Sequence, residues 1–141
     1  MTSSDLIKLA HLRLEEAEIL LKRRKYAGAY YIVGYSVECA LKACIAKKTK
    51  RFEFPDLARI ETLKKSYTHN LEKLLEYSGL DKEMEDQVKS GSPVGRNWAI
   101  VVLWNSQSRY KASMGRVVAK DMVLAASDQV SGVVKWLESK C

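Results

Sequence analysis

Apolar residues recur at helical spacing along most of the chain, and one segment is apolar around most of its circumference. That segment covers residues 26–48, where apolar or small residues lie three or four positions apart on two adjacent lines. Between Tyr26 and Ala46 its only polar side chains besides the tyrosine hydroxyls are Ser36, Glu38 and Lys42. The pattern predicts a central helix buried by its neighbours, with the Glu38 carboxylate inside and in need of a partner.

Five further segments carry a helical pattern of their own. In chain order they cover residues 5–24, 69–78, 81–90, 98–104 and 119–139. Polar caps support two of them, because Ser3 or Ser4 can begin the first and Thr68 can begin the second. One or two helical turns are also expected within residues 56–65, whereas residues 91–95 are interpreted as a break or exposed loop.

The last two segments complete the predicted fold. Residues 98–104, WAIVVLW, are apolar all round and therefore expected to be buried; their β-branched centre also suits a strand, but no partner strand is evident. The final helix is expected to bury Met122, Ala126, Val130, Val133 and Leu137. Short connections favour antiparallel neighbours. We therefore predict an all-α fold, an antiparallel up-and-down bundle of four main helices plus a short fifth helix, in one domain spanning residues 1–141.

Composition supports this picture. The 141 residues are 47% hydrophobic and 29% charged, which is typical of a folded soluble domain. Glu38 and Lys42 interrupt the best membrane-spanning candidate, and the first residues lack the layout of a signal peptide, so we expect a cytoplasmic protein without membrane contact. The three cysteines, Cys39, Cys44 and Cys141, lack the spacing of metal ligands, and we interpret them as small buried residues.

The net charge of +7 favours an anionic partner such as nucleic acid. In an up-and-down bundle, the ends of helices 26–48 and 98–104 lie at the same pole. The basic residues expected near that pole are Lys47, Lys48, Lys50, Arg51, Lys64, Lys65, Arg109, Lys111 and Arg116. The cluster at residues 22–25 is expected about 30 Å away, at ~1.5 Å per helical residue. Such a pole can bind RNA, or its charges can merely solvate loops.

Two strings in the chain carry a resemblance to a known family. The central helix reads GY-x2-E-x-ALKA from Gly34, and a later stretch reads W-x4-RY from Trp104 to Tyr110, with THNLEKLL between them. Over nearly its whole length the sequence resembles a stand-alone HEPN-domain protein. The resemblance implies an all-α bundle that commonly forms homodimers, in a superfamily tied to nucleotides and RNA. Many such proteins are partners of small nucleotidyltransferases, or metal-independent RNases in defence and toxin–antitoxin systems.

The chain departs from the catalytic members of that family. They carry an arginine and a histidine separated by four to six residues. Here the corresponding places after Arg96 hold valine and leucine, and those after Arg109 hold Met114, Gly115 and Arg116. Metal-free RNA cleavage needs a base and an acid, and imidazole is the side chain best matched to both tasks at neutral pH. The standard HEPN ribonuclease reaction is therefore not expected.

Other residues could replace the missing histidine. A rearranged catalytic set would consist of Arg109, Tyr110 and His69, in which the arginine would hold a phosphate and the imidazole would act on the sugar. In the competing interpretation, His69 helps to cap a helix while Arg109 reaches inward to neutralise Glu38. A third interpretation pairs Glu38 with Lys42, one helical turn further on.

A ligand site is the second candidate. Tyr31 and Tyr35 lie one turn apart near Glu38 and can line a cleft in which a base stacks, or they can fill the core or a dimer seam. The candidate binding set consists of Tyr31, Tyr35 and Glu38 together with Arg109 and Lys111.

Three functions follow as hypotheses. The first is a non-catalytic or weakly catalytic HEPN protein that binds RNA, a nucleotide or a nucleotidyltransferase partner, as a dimer in a defence or toxin–antitoxin setting. The second is a metal-independent endoribonuclease with the rearranged site. The third is a structural adaptor that acts through dimerisation. The sequence contains no glycine-rich phosphate loop, zinc-ligand spacing or nucleophile elbow, and neither a metal nor a cofactor is expected.

Overall fold

Seven α-helices and one 3-10 helix build the part of the chain that the computed structural model describes, namely residues 1–49, 61, 64 and 67–141. The α-helices are α1 (Ser3–Lys22), α2 (Tyr26–Thr49), α3 (Leu71–Ser78), α4 (Asp81–Lys89), α5 (Pro93–Val101), α6 (Arg116–Ser127) and α7 (Val133–Lys140), and the 3-10 helix is Ser106–Tyr110. The prediction of an all-α bundle is confirmed. The turns expected within residues 56–65 lie outside the described residues apart from two isolated positions.

Helices α1 and α2 form an antiparallel hairpin. The Ser36 hydroxyl of α2 donates to the carbonyl of Ala10 at 2.7 Å, and the Ser3 hydroxyl of α1 donates to the carbonyl of Ala43 at 2.9 Å. These two bonds show that α2 runs back along the whole of α1.

Helix α2 is the centre of the bundle. It contacts α1, α3, α6, α7 and the 3-10 helix, and side chains on all its faces are buried, including Val33, Leu41 and Ile45. The predicted central helix is thus confirmed, and its burial costs little because almost every side chain on it is apolar or small. No helix in the described part of the chain combines the length and the apolar character needed to cross a membrane.

Two helix starts differ from the prediction. Thr2, rather than Ser3 or Ser4, caps α1 and exchanges hydrogen bonds with the third residue of the helix in a capping box. Asn70, rather than Thr68, caps α3, because the amide oxygen of its side chain accepts a backbone N–H three residues on. Each true cap stands close in sequence to another capping residue, which explains the errors.

The predicted break at residues 91–95 is partly wrong. Helix α5 begins at Pro93, a residue favoured at the first helical position, and the hydroxyl of Ser92 accepts the N–H of Gly95 at 3.1 Å. Gly95 is buried against the backbone of Gln87, so α4 and α5 meet at a tight corner.

The predicted helix over residues 98–104 is too long, and it is not buried all round. Helix α5 ends at Val101, and Leu103 is 74% exposed. Trp98, Val101 and Trp104 are buried because they face the bundle. Ile100 and Val102 are partly buried against the core, and Ala99 and Leu103 are exposed. Apolar composition here did not distinguish one buried face from two.

The predicted helix over residues 119–139 is two helices, α6 and α7. The carboxylate of Asp128 accepts the N–H groups of Val130 at 2.9 Å and Ser131 at 2.8 Å, which turns the chain between them. Val130, predicted to be buried, is 92% exposed on this turn. The rest of the predicted stripe is buried, namely Met122, Ala126, Val133 and Leu137.

A disulfide joins Cys44 to Cys141, whose Cα atoms lie 4.9 Å apart. The interpretation of the cysteines as small buried residues holds for Cys39, which is also free, and for Cys44, whereas Cys141 is only partly buried. The bond between Cys44 and Cys141 was not predicted. The pairing depends on α7 packing against the C-terminal half of α2, and sequence spacing does not report that contact.

Candidate functional site

The predicted buried acid is present on α2. Glu38 is 4% exposed, and its carboxylate has two partners. Lys42, one turn further along, places Nζ 2.8 Å from Oε1, and His69 places Nδ1 3.0 Å from both carboxylate oxygens. Since a carboxylate only accepts hydrogen bonds, Nδ1 carries the proton in this contact. The buried charge is thus compensated by one cation and one imidazole N–H.

Arg109 is not the partner of Glu38, so that expectation is wrong and the pairing with Lys42 is the correct one. Arg109 belongs to the 3-10 helix, which turns Ser108 inward and leaves Arg109 exposed. Its guanidinium carbon lies 4.9 Å from the centre of the Tyr110 ring. The contact with Tyr110 raises the pKa of Arg109, and the neighbouring Tyr31 acts in the same direction.

Tyr35 is the centre of an aromatic cluster. Its ring meets Tyr31 and Trp104 edge to face with centroids 5.1 Å apart, and meets His69 in the same way at 5.9 Å. Burial raises the pKa of Tyr35 to about 12, and the hydroxyl of Tyr31, which donates to that of Tyr35 at 3.3 Å, adds to the shift. Tyr35 therefore keeps its hydroxyl proton at physiological pH.

Gly34 allows Trp104 into this cluster. A Cβ atom built on Gly34 would overlap the indole ring of Trp104. The two residues belong to the two strings on which the family resemblance rests, and their contact brings α2 and the 3-10 helix together. Among the described residues, the indole N–H of Trp104 and the hydroxyl of Ser108 are buried without a hydrogen-bond partner.

A cavity of about 420 Å³ opens beside this cluster. Its lining includes Tyr67, His69, Asn70, Glu72, Trp104 and Asn105. The side chain of His69 is 50% exposed, and because Glu38 holds Nδ1, Nε2 is the ring nitrogen left to accept or donate a proton. An imidazole fixed by a carboxylate can serve as a general base or bind a polar ligand.

The sequence-derived candidates are only partly brought together. Tyr31, Tyr35, Glu38 and His69 form one connected group, and Arg109 lies near its two tyrosines. Lys111 is exposed. His69 does not cap α3, which is a correction to the second interpretation, because Asn70 does so.

Lys42 was predicted from its spacing of four residues as one of the possible partners of Glu38, but not as part of the catalytic or binding set. Trp104 was not predicted to be part of the site, because its place beside Gly34 depends on the fold. Within the described residues, no group of three His, Cys, Asp or Glu side chains is arranged to hold a metal ion.

The predicted single basic pole is wrong for Arg116. Arg116 lies in a cleft with Lys22 and Arg24, at the turn between α1 and α2. Lys47 and Lys48 line a separate cavity beside the C-terminus of α7. The prediction failed because the 3-10 helix and the segment after it carry the chain to another end of the bundle. Lys50, Arg51 and Lys65 lie outside the described residues.

Comparison with known proteins agrees with the all-α fold. The family model described as the HEPN domain matches residues 3–140. No significant match was found among curated proteins or among solved structures. Because the family match covers nearly the whole chain, from the first residue of α1 to the last of α7, this protein belongs to the HEPN-domain family.

Proposed function

We propose that this HEPN-domain protein binds a nucleotide unit of RNA in the cavity beside His69. HEPN domains have nucleotide- and RNA-related roles, often in defence or toxin–antitoxin systems. The observation that carries the proposal is a half-exposed imidazole, held by the buried carboxylate of Glu38, at a cavity beside the aromatic cluster whose Tyr31 and Tyr35 lie near the exposed Arg109.

The chemistry of the surroundings suits a nucleotide. Arg109 forms no ion pair among the described residues, so its guanidinium is available for a phosphate. Tyr110 and Tyr31 offer ring faces on which a base can stack. Asn70 and Asn105 carry donors and acceptors suited to a base edge or a sugar hydroxyl. A cavity of about 420 Å³ falls within the usual size of small-molecule sites.

Binding of labelled single-stranded RNA, followed by fluorescence anisotropy at low salt, tests this proposal. Arg109→Ala should weaken binding about 10- to 150-fold, since a charge-assisted hydrogen bond contributes about 1.5–3 kcal/mol. His69→Ala should weaken it less. Lys89→Ala is the matched control, because Lys89 is exposed on α4 and already paired with Glu85. Absence of binding, or equal binding by all variants, would contradict the proposal.

A second function, metal-independent RNA cleavage, is favoured by the Glu38–His69 hydrogen bond. With the proton of the imidazole held on Nδ1, Nε2 can accept the proton of a ribose 2′-hydroxyl as its oxygen attacks the adjacent phosphorus. The bond from phosphorus to the 5′-oxygen then breaks, and the imidazolium returns the proton to that leaving oxygen. Arg109 would then stabilise charge on the phosphate. Tyr110, stacked on Arg109, would hold the guanidinium in place.

Cleavage of labelled RNA in the presence of a chelator tests the second function. Both Glu38→Gln and His69→Ala should reduce the rate about a hundredfold or more, the usual contribution of a general base. No cleavage by the wild-type protein, or cleavage unchanged in both variants, would remove this function and leave the first intact.

We also infer a homodimer, since HEPN domains commonly dimerise, and a nucleotidyltransferase is a further candidate partner. Light scattering after size-exclusion chromatography should give twice the mass of 16.0 kDa. If the protein bound neither RNA nor nucleotide at low salt, a role as an adaptor that acts through dimerisation would be the remaining hypothesis.

A further inference from the structure

A cleft of about 470 Å³ lies between the α1–α2 turn and the start of α6, and its polar lining is basic. Lys22, Arg24, Arg116 and Lys120 line it together with Leu21 and Tyr26, and we call these residues the basic cleft. No acidic side chain lines the basic cleft. Residues from two distant parts of the sequence therefore bring four positive charges to one concave surface.

Nothing in the described part of the chain neutralises these charges. None of the four cations forms an ion pair there, although Glu18 and Asp121 are close to them in sequence. Like charges gathered in a cleft repel one another and raise the local concentration of anions. The arrangement is stabilised when an anion binds.

The backbone at Arg24 is the second observation. Arg24 has φ of 60°, the only positive φ of a described residue other than glycine. It follows the C-cap of α1, where the N–H of Lys25 donates to the carbonyl of Leu20 at 2.9 Å and the N–H of Arg24 donates to that of Leu21 at 3.1 Å. Glycine usually occupies this left-handed position in such a motif. The chain instead keeps a strained arginine there, at the basic cleft.

The start of α6 departs from another local preference. Arg116 is the first residue of the helix, Lys120 follows one turn later, and the first turn contains no acidic residue. Positive charge at a helix N-terminus opposes the helix dipole, which favours anions there. Gly115, the N-cap, provides no side-chain hydrogen bond, so the first N–H groups of α6 are open to an anionic ligand. The positive charges of Arg116 and Lys120 therefore destabilise this end of the helix in the absence of an anion, and they stabilise a bound anion.

We propose that the basic cleft binds phosphate groups of an RNA chain and extends the site beside His69, an inference that rests on the proposed function. Tyr26 of the cleft and Tyr35 of the aromatic cluster lie on the same helix, about 14 Å apart along its axis at ~1.5 Å per residue, and their spacing of nine residues puts them on opposite sides of it at about 3.6 residues per turn. An RNA chain that contacts both sites must therefore curve around the bundle. Tyr26, which is partly exposed, offers a ring on which a neighbouring base can stack.

The test uses a single-stranded RNA of about 15 nucleotides, which is long enough to reach both sites. It measures how the affinity for this RNA falls as salt is added. Arg24→Gly and Lys120→Gln should each weaken binding several-fold and reduce the slope of log K against log salt by about 0.7. Arg24→Gly removes a cation and relieves backbone strain, so its melting temperature should equal or exceed that of the wild type. Weaker binding by that variant therefore does not come from unfolding.

Arg23→Ala is the matched control. It removes the same charge from the neighbouring position, which is not part of the cleft lining, and should change the affinity and the salt slope less than Arg24→Gly does. Equal effects at positions 23 and 24 would overturn the inference, because they would show a general charge effect.

A dinucleotide separates the two sites. Its binding should depend on Arg109 and His69 but not on Arg24 or Lys120. If Arg24→Gly and Lys120→Gln bind the long RNA with wild-type affinity while Arg109→Ala does not, the basic cleft proposal fails and the proposed function stands. If the cleft variants weaken binding of the long RNA while Arg109→Ala has no effect, the cleft is supported and the cavity beside His69 is not the nucleotide site.

Discussion

The indole of Trp104 lies against Gly34, where no side chain larger than hydrogen fits. Gly34→Ala should therefore lower the free energy of unfolding by about 1–3 kcal/mol, the usual cost of overpacking a filled core. Because the ring also touches Tyr35, the substitution should disturb the aromatic cluster, and near-ultraviolet circular dichroism would show the change. Urea denaturation measures the stability.

Gly28 provides the control for that substitution. It lies on the same helix, and a Cβ atom there would make ordinary contact with Leu20 at 3.5 Å. Gly28→Ala should stabilise the protein by about 0.5–1 kcal/mol, because alanine has less conformational freedom to lose in a helix. Equal effects of the two substitutions would contradict the packing described for Gly34.

Glu38 is the residue whose substitution should have consequences for both stability and the site. Glu38→Gln keeps the shape but removes the charge that Lys42 and His69 share. Both partners are partly exposed, at 24% and 50%, so water can replace part of what they lose. We expect a cost of about 1–3 kcal/mol in urea denaturation.

A double-mutant cycle can check this interaction. In combination with Lys42→Met, the cost of Glu38→Gln should be smaller than in the wild-type background, since the unpaired cation is gone. Strict additivity of the two substitutions would show that the ion pair contributes no net coupling.

At the scale of single residues, the sequence predicted burial better than pairing. The apolar surroundings of Glu38 were sufficient to place its carboxylate inside. Its partner could not be chosen, because the direction of Arg109 depends on the 3-10 helix, and the contact with His69 depends on how the chain returns before α3. Neither the 3-10 helix nor the segment before α3 shows a periodic spacing of apolar residues that would predict its course.

Between α6 and α7, the turn at Asp128 gives the protein an acid-sensitive element. Hydrogen bonds from the backbone N–H groups of Ser131 and Val130 lower the pKa of Asp128 below 3.8. A carboxyl whose pKa is lower in the folded state contributes stability above its unfolded pKa and loses that contribution as the pH falls through the folded value. The turn is therefore most stable when Asp128 is ionised.

Asp128→Asn should test this contribution. The variant should be less stable than the wild type at neutral pH, and the difference should shrink between about pH 5 and pH 2 as Asp128 of the wild type is protonated. Urea midpoints across that range measure the difference. A constant difference at all pH values would show that the charge is irrelevant. Some acid sensitivity should remain in the variant, because hydrogen bonds from Thr2 also lower the pKa of Asp5.

Whole elements were predicted well where one face of a helix is apolar, as for α1 and α4, and where nearly the whole circumference is apolar, as for α2. The errors fall where an apolar residue is exposed, at Leu103 and Val130. Periodicity alone continues a helix through such positions. Helix α6 is ended by a local turn signal, an aspartate followed by a glycine four residues later. This signal does not alter the spacing of the apolar residues, so the periodicity alone does not reveal the turn.

Over the whole molecule, the bond between Cys44 and Cys141 should be the largest single contribution that can be removed chemically. It links residues 97 apart, and closing a loop of that size restricts the unfolded chain. Reduction should lower the free energy of unfolding by about 2–4 kcal/mol. Thermal denaturation with and without reductant measures the effect.

Cys141→Ser separates this effect from others of the reductant. The variant should melt lower than the oxidised wild type and should not respond to reductant, although Cys39 is still present. An unchanged melting temperature of the wild-type protein on reduction would contradict the prediction.

The bundle as a whole followed from periodicity, whereas the distribution of charge over it did not. Counting turns placed helices up or down correctly enough to give the fold class. The position of Arg116 beside Lys22 and Arg24 could not be predicted in this way. The irregular segment before α6 has no periodic spacing of apolar residues from which its course can be predicted.

The covalent tie between α2 and the last residue also decides how the protein would respond to mechanical force. If the chain were stretched from its two ends, tension would pass directly from Cys44 to Cys141, and only the stretch before Cys44 could extend, to a contour length of roughly 155 Å at ~3.6 Å per residue. That stretch carries Tyr31, Tyr35 and Glu38, while His69 and Trp104 belong to the unloaded loop. Pulling would therefore separate Tyr31 and Tyr35 from His69 and Trp104, while the helices inside the closed loop carried no tension.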